Sequence, residues 1–462
     1  MHRRRAFVIL MWGAPWFGPG FAFGQPSETT TPRSDSFWKN PLTPSRVELP
    51  TPRDELVWLD STSSAFEQAR AEGRPVFVTL RCLPCDQCAE FDKDVLEGGP
   101  LLGPLLRQFV TVRLTSMRKL DLRLFPIADF QDLDLSWWGW FFDPDGRLYG
   151  VYGGRDEVSD TTRISVASLA KTMRRILAHH YDPRRAAWNI DGVTPRLTDK
   201  PTTPSGLPGW SSWVRRGANK AASSECLHCH QVAEILRQPA IDAGTFDKLR
   251  DFDMWPFPEN VGLVLQRDDG LRVDSVTPAS PAARAGLLPG DVLAAAEGRR
   301  LFSQADFRAA LHRGPRGSGK MHVRWLREGN VLSADLSVAK GWRATVLDWR
   351  ASVAGADVGA HPGFPWPLAV KANVRERLGL PKGSLAVRPW FGKNSAGPAY
   401  QAGLRPHHVI TKVNGDGPDV VGRAFMVWFR LHHEPGQKVE LTVRERDGAA
   451  RTIRFELPKR ER

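Results

Sequence analysis

The feature that most restricts how this chain can fold is a stretch written twice. Ala285-Gly286-Leu287-Leu288-Pro289-Gly290-Asp291-Val292 recurs 117 positions later as Ala402-Gly403-Leu404-Arg405-Pro406-His407-His408-Val409, and the copies run on to Gly298 and Gly415. Self-similarity at a fixed shift signals one structural unit used twice. Two β-rich units are therefore expected, over about residues 259–339 and 381–458. The Trp-, Pro- and Arg-rich stretch 340–380 joins them.

In the first copy, Val261-Gly262-Leu263-Val264-Leu265 reads as a loop entering a strand. Val273 to Ala282 reads as a central strand and turn, and Gln304 to His312 as a helix. Over nearly all of 259–339 these residues resemble a bacterial PDZ domain. The resemblance implies a groove in which an extended C-terminal peptide lies as an added strand beside Gly262, Leu263, Val264 and Leu265, flanked by the 304–312 helix. The second copy is PDZ-like but altered. His407-His408 replaces Gly-Asp, Gly383 to Val387 forms a looser loop, and Phe425, Met426, Trp428 and Phe429 make its helix too apolar to stand in water. A packing face is expected there, not a peptide groove.

Before the repeats, residues 55–180 alternate helical and strand patterns. Ser64 to Glu72 is a short amphipathic helix stopped by Gly73, and Pro75 to Leu80 is a continuous apolar strand of the kind buried on both faces. That strand runs into Cys82-Leu83-Pro84-Cys85-Asp86-Gln87-Cys88 and a following helix with Ala89, Phe91 and Val95. Helix is expected from Leu101 to Phe109, strand from Val110 to Leu114, and a hairpin (136–142 and 147–152) across Asp143-Pro144-Asp145-Gly146. A closing helix follows from about Ser165 to His179. A strand delivering Cys-x-x-Cys to a helix N-terminus resembles thioredoxin-like domains, an α/β sandwich. Cys82 would then attack and Cys85 resolve, the helix dipole favouring the Cys82 thiolate. Asp134-Leu135-Ser136-Trp137 has no proline where thioredoxins carry their cis-proline. Cys88 is an extra cysteine, compatible with a Cys85–Cys88 disulfide or a three-thiol metal site.

Between these regions, residues 181–258 hold Cys226-Leu227-His228-Cys229-His230. Two cysteines separated by two residues and followed by histidine is the c-type haem attachment pattern. The two thiols can form thioethers with one haem while His230 ligates the iron as axial ligand. The segment resembles c-type cytochromes in those residues only. A structural zinc site, a plain disulfide and a chance match are the competing readings. Met254 is the nearest downstream methionine for the second axial position, with His179 and His180 as weaker candidates.

At the N-terminus, Arg3-Arg4-Arg5 precedes an apolar run from Ala6 to Phe23 that ends in Ala22-Phe23-Gly24, the pattern of a signal peptide over 1–24. Residues 25–54, rich in Pro, Ser and Thr, read as a tether. Export to a bacterial periplasm or envelope is expected, where haem attachment and disulfide chemistry are both possible. All five cysteines lie in the two short clusters, so they serve sites and do not staple a scaffold. The formal net charge of +13 is scattered without an arginine-rich block, which argues against nucleic acid as partner and leaves room for peripheral association with an acidic envelope surface. The whole order resembles exported thioredoxin-like/PDZ multidomain proteins of planctomycete type. That resemblance assigns no defined reaction; the motifs together read as an exported redox protein with a thiol site, a haem c, peptide capture by the first PDZ domain and a redox partner protein. A non-enzymatic envelope scaffold or sensor, with structural or sensory haem, is the alternative.

Overall fold

The computed structural model describes residues 47–81, 89–135, 137–154, 164–185, 201–215, 227–252, 255–344, 350–355, 359–392 and 397–459. In the N-terminal unit, β1 (Trp58–Leu59), β2 (Val76–Arg81), β3 (Val110–Leu114), β4 (Trp137–Phe142) and β5 (Leu148–Gly154) form one sheet in the order β1-β3-β2-β4-β5. β1, β3 and β2 are parallel, and the β4–β5 hairpin continues the sheet antiparallel. Both faces are covered. Val76, Val78, Leu80, Trp138, Trp140 and Phe142 share a core with helix α1 (Thr62–Glu72). Phe77, Trp137 and Phe141 face the other way, onto α2 (Ala89–Glu97), α3 (Gly99–Leu106) and α4 (Val166–His180). This two-sided burial explains why β2 and β4 are buried at every position, without a regular alternation of apolar and polar residues. Gly139 is required between the tryptophans, because a Cβ there would come within 2.8 Å of the Phe77 ring. The Trp137, Trp138, Trp140 and Phe141 cluster is core.

After α5 (Trp210–Arg215) and α6 (Cys229–Asp242), the two repeated units follow. The middle unit has β6 (Leu263–Leu265) paired with β7 (Val273–Val276), and a sheet of β8 (Val292–Ala296), β9 (Arg299–Arg300), β10 (Gly319–Arg327) and β11 (Asn330–Val338). Helix α7 (Gln304–Arg313) sits between β9 and β10 in sequence. The C-terminal unit places β12 (Trp366–Ala369), β13 (Val387–Trp390), β14 (Val409–Val413), β15 (Lys438–Arg444) and β16 (Ala450–Glu456) in one sheet, with α8 (Gly422–His432). β12 and β13 pair antiparallel as β6 and β7 do. The second unit's sheet therefore begins at Trp366, inside the stretch read as a joining segment, and not at 381.

The first two units are locked together. The Asp306 carboxylate on α7 accepts hydrogen bonds from the amides of Val151 (2.7 Å), Phe302 (2.9 Å) and Ser303 (3.0 Å), while Ser303 Oγ donates to the Val151 carbonyl. These contacts satisfy backbone groups of β5, the last strand of the N-terminal sheet, which an exposed edge would leave open. Ala305 and Ala309 of α7 join the N-terminal core, and Phe307, Ala310 and Leu311 point into the middle unit's own core. Among the described residues no helix is long and apolar enough to cross a membrane.

Candidate functional site

Cys82, Cys85 and Cys88 lie outside the described residues, but the frame around them is defined. β2 ends at Arg81, which pairs with Trp137 on β4, and its neighbour Leu80 pairs with Leu114 at the end of β3. α2 resumes at Ala89 and presents buried Asp92. Asp92 takes a two-pronged bond from Arg113 (2.7 Å each), a bond from the Trp137 indole (2.9 Å) and an ion pair with Arg81 (3.6 Å). One buried carboxylate thus ties α2 to the ends of three strands.

The second cysteine segment is docked at this same end of the sheet. Leu227 N donates to Ser116 Oγ (3.1 Å), and Met117 N donates to the Leu227 carbonyl (3.1 Å); Ser116 lies two residues past the end of β3. Cys229 opens α6, is buried, and has its Sγ 3.8 Å from Nε2 of Gln131, in the loop leading to β4. His230 is a third exposed. Its Nδ1 stands 3.3 Å from Glu234, one helical turn on, whose other oxygen accepts from the Trp213 indole at 3.0 Å. The His228 and His230 rings stack at 5.4 Å, and burial, with His230 next, lowers the pKa of His228. Cys226 and Met254 lie outside the described residues. His179 is engaged with Arg300 (3.1 Å) and His180 with the Tyr149 hydroxyl (2.9 Å).

These residues accept a haem on one side only. A carboxylate on Nδ1 leaves Nε2 of His230 for iron, the usual arrangement of a metal-bound imidazole. The Cys229 sulfur instead faces Gln131 inside the core it shares with Leu227, Val232 and Ile235. A porphyrin edge bonded there would have to take the place of Gln131 and its neighbours, so as placed the thiol does not seat the group. Glu234 was legible from its i+4 spacing to His230; Ser116 and Gln131 were not, because only the tertiary fold brings them to this segment.

In the middle unit, Gly262 has φ +86°, and a Cβ there would lie 2.1 Å from Ser280. Its amide donates to the Glu259 carbonyl (3.0 Å) and its carbonyl accepts from Thr277 (2.8 Å), so the loop is held by its own backbone. Leu263 and Leu265 are core residues, and Val264 is half-buried. Beside this loop, Asn260 Nδ2 donates to the carbonyls of Trp342 (2.8 Å) and Ala344 (2.7 Å). Arg343 donates to the carbonyls of Leu311 (3.2 Å) and His312 (2.9 Å) at the end of α7. The chain's own Trp342–Ala344 therefore ties the residue at the entry to the Gly262 loop to the C-terminal end of α7, the two elements expected to flank a peptide.

The altered turn of the C-terminal unit has a definite structural role. In the middle unit Asp291 accepts from Leu288 N (2.8 Å) and binds Arg327 (2.7 Å). At the equivalent place His408 Nδ1 accepts from Arg405 N (3.1 Å), and its Nε2 meets Glu445 at 3.0 Å. The carboxylate has moved from the turn to the facing strand end, and a neutral imidazole has taken its place. His407, His408 and Glu445 cluster closely enough to suggest a metal. However, with Nδ1 accepting a backbone N–H, Nε2 of neutral His408 carries the proton and donates to Glu445, leaving no lone pair for a cation. On α8, Phe425, Met426 and Phe429 fill their own unit's core, and Val427 packs on Phe252 and Val353.

Residues 57–124 match the family model for thioredoxin-like proteins, and residues 261–338 match the model for the PDZ domain. No curated protein matches the chain. The N-terminal unit is thus a thioredoxin-like domain and the middle unit a PDZ domain, the C-terminal unit repeating the PDZ plan with histidine in place of aspartate at its turn.

Proposed function

We propose that the chain is an exported redox protein of the bacterial periplasm or envelope. In this reading its thioredoxin-like thiols exchange electrons with the Cys226–His230 segment, and the PDZ domain selects the partner by its C-terminal tail. The observation that carries it is the docking of Leu227 on Ser116 and Met117, at the strand ends from which residues 82–88 depart. Cys82 as thiolate attacks one sulfur of a partner disulfide and the other sulfur leaves as thiolate. Cys85 then attacks Cys82, releasing the partner's second thiol and closing a Cys82–Cys85 disulfide, so that two electrons have passed to the partner. Cys226 and Cys229, as a dithiol, would restore the pair by the same exchange and become the disulfide in turn, a step that requires the Cys229 thiol to leave its contact with Gln131.

Cys229→Ser in the full chain, with Cys82 and Cys85 oxidised, removes the thiol that would resolve attack by Cys226 and should trap a mixed disulfide between residues 82–88 and Cys226, seen as one cross-linked peptide after digestion without reductant. Absence of that peptide at every redox poise would remove the coupling. A second reading, favoured by the His230–Glu234 contact, is a covalent haem c that Cys226, Cys229 and His230 would hold, which requires the Cys229 thiol to leave Gln131. Bound haem would supply a one-electron carrier. Haem staining that survives denaturation and vanishes in Cys226→Ala, Cys229→Ala would support it; no stain from protein made with haem-attachment machinery would end it.

A further inference from the structure

Apart from the redox site, one face of the C-terminal unit is left uncovered. On the β12–β13 ribbon Trp366 stands opposite Trp390 and Leu368 opposite Arg388. Side chains alternate across a strand, so these four share one face, while Pro367, Pro389 and Val387 are buried on the other. Trp366 is 38 % exposed and Trp390 50 %, with Leu368 and Val421 exposed as well. The position of Gly422, next to Val421, approaches the Trp366 ring. Two indoles and two aliphatic side chains therefore meet water on one shallow surface, which isolated exposed residues do not explain.

Charge and backbone chemistry narrow the occupant. From Trp366 to Gly392 the chain carries Lys371, Arg375, Arg377, Lys382 and Arg388 against a single acid, Glu376. Lys371, Arg377, Lys382 and Arg388 are exposed, and Arg388 sits inside the apolar patch. Asp419 lies near Val421 in sequence, so the cationic side is that of the ribbon and the Ala372–Arg377 helix. Pro367 and Pro389 face each other on paired strands and neither has an N–H. At the sheet edge Pro367 withholds an outward donor, which disfavours addition of a peptide or second copy as a further strand. Helix α8 packs on β12, leaving no groove between them for a peptide. Tryptophans that sit at headgroup depth, beside lysines and arginines that meet lipid phosphates, are the chemistry of a membrane interface. We infer that the β12–β13 face docks this protein on an anionic phospholipid surface.

The test is flotation of the purified full chain with phosphatidylcholine vesicles made with and without phosphatidylglycerol. The chain should float with the anionic vesicles, not with phosphatidylcholine alone, and should be released by high salt. Trp366→Ser with Trp390→Ser should lower partitioning by at least roughly tenfold, and Arg388→Glu alone should lower it several-fold, with the thermal midpoint of each variant close to wild type. If both variants float as wild type does, another segment carries the attachment and the inference fails. It fails equally if the wild-type chain floats with neither vesicle, the result expected when the face serves a protein partner instead. Cysteine variants leave this readout unchanged, so it stands apart from the redox reading.

Discussion

Asp306 is the residue whose chemistry depends most on its setting. Burial pushes its carboxyl up to about 7, against the amides of Val151, Phe302 and Ser303, which favour the anion. An acid raised in the folded state binds its proton there while the unfolded chain has already lost it. Stability from this group therefore falls as pH rises from about 4 to about 7 and is level above that. Histidines lowered by burial, such as His361 at about 4, act in the opposite sense over the same range, so the difference between wild type and Asp306→Asn is the quantity to measure. Denaturant unfolding across that window should give a difference whose slope approaches roughly 1.4 kcal/mol per pH unit; a flat difference would mean that the carboxyl is not perturbed. In sequence Asp306 looks like an ordinary first-turn acid of a capped helix, with Ser303 as the cap. Its contact with Val151 lies 155 positions away, and no local pattern announces it. Cys82 shows the opposite case: its position between an apolar strand and a helix was legible at once. If the helix that follows lowers its thiol pKa as the sequence suggests, alkylation of reduced protein near neutral pH should be fastest at Cys82. Faster reaction at Cys85 or Cys88 would reverse the roles of the thiols.

Among the elements, the loop from Gln131 to Leu135 holds the domains together. Buried Asp132 accepts from Arg308 of α7 (2.6 Å) and from Arg350 (2.8 Å), and Asp134 binds Arg350 and Ser352. Burial alone would raise the Asp132 carboxyl, but Arg350 and Arg308 hold it at about 2. Asp132→Ala would leave buried Arg308 without its carboxylate and Arg350 with Asp134 alone, and should cost roughly 3–5 kcal/mol in unfolding free energy, a loss that conservative replacement of an exposed ion pair such as Lys320–Asp335 would not reproduce. The helices and strands themselves were readable from periodicity and turn residues, as with β2, the β4–β5 hairpin and α7. Which faces they bury was less so, because α7 reaches the thioredoxin-like core through two alanines, residues too small to mark an interface. The Trp342–Ala344 contact makes a further prediction. A free-carboxylate peptide with an apolar end should bind the 257–340 fragment with micromolar affinity and the full chain more weakly, and amidation should abolish both. Equal binding to fragment and full chain would mean that Asn260 and Arg343 do not hold the groove closed.

At the scale of the whole molecule, the duplication was legible because its glycines and leucines serve the same turns in both copies. The start of the second copy was not, since β12 carries two prolines or tryptophans in four residues and reads as irregular sequence. The placement of the segment from Leu227 to His230 was hidden for a different reason: only the tertiary docking of Leu227 on Ser116 and Met117 brings it to the end of the sheet where β2 stops at Arg81. That placement is the ground for the central claim, electron exchange between the clusters. It is tested most directly by a redox titration of the full chain, reading Cys82 and Cys85 oxidation by differential alkylation and mass spectrometry. With Cys226→Ser and Cys229→Ser, the Cys82/Cys85 pair should lose its reduction by the second cluster: after a limiting pulse of partner disulfide it should stay oxidised where the wild-type pair returns to dithiol. Identical recovery in wild type and variant would contradict the coupling.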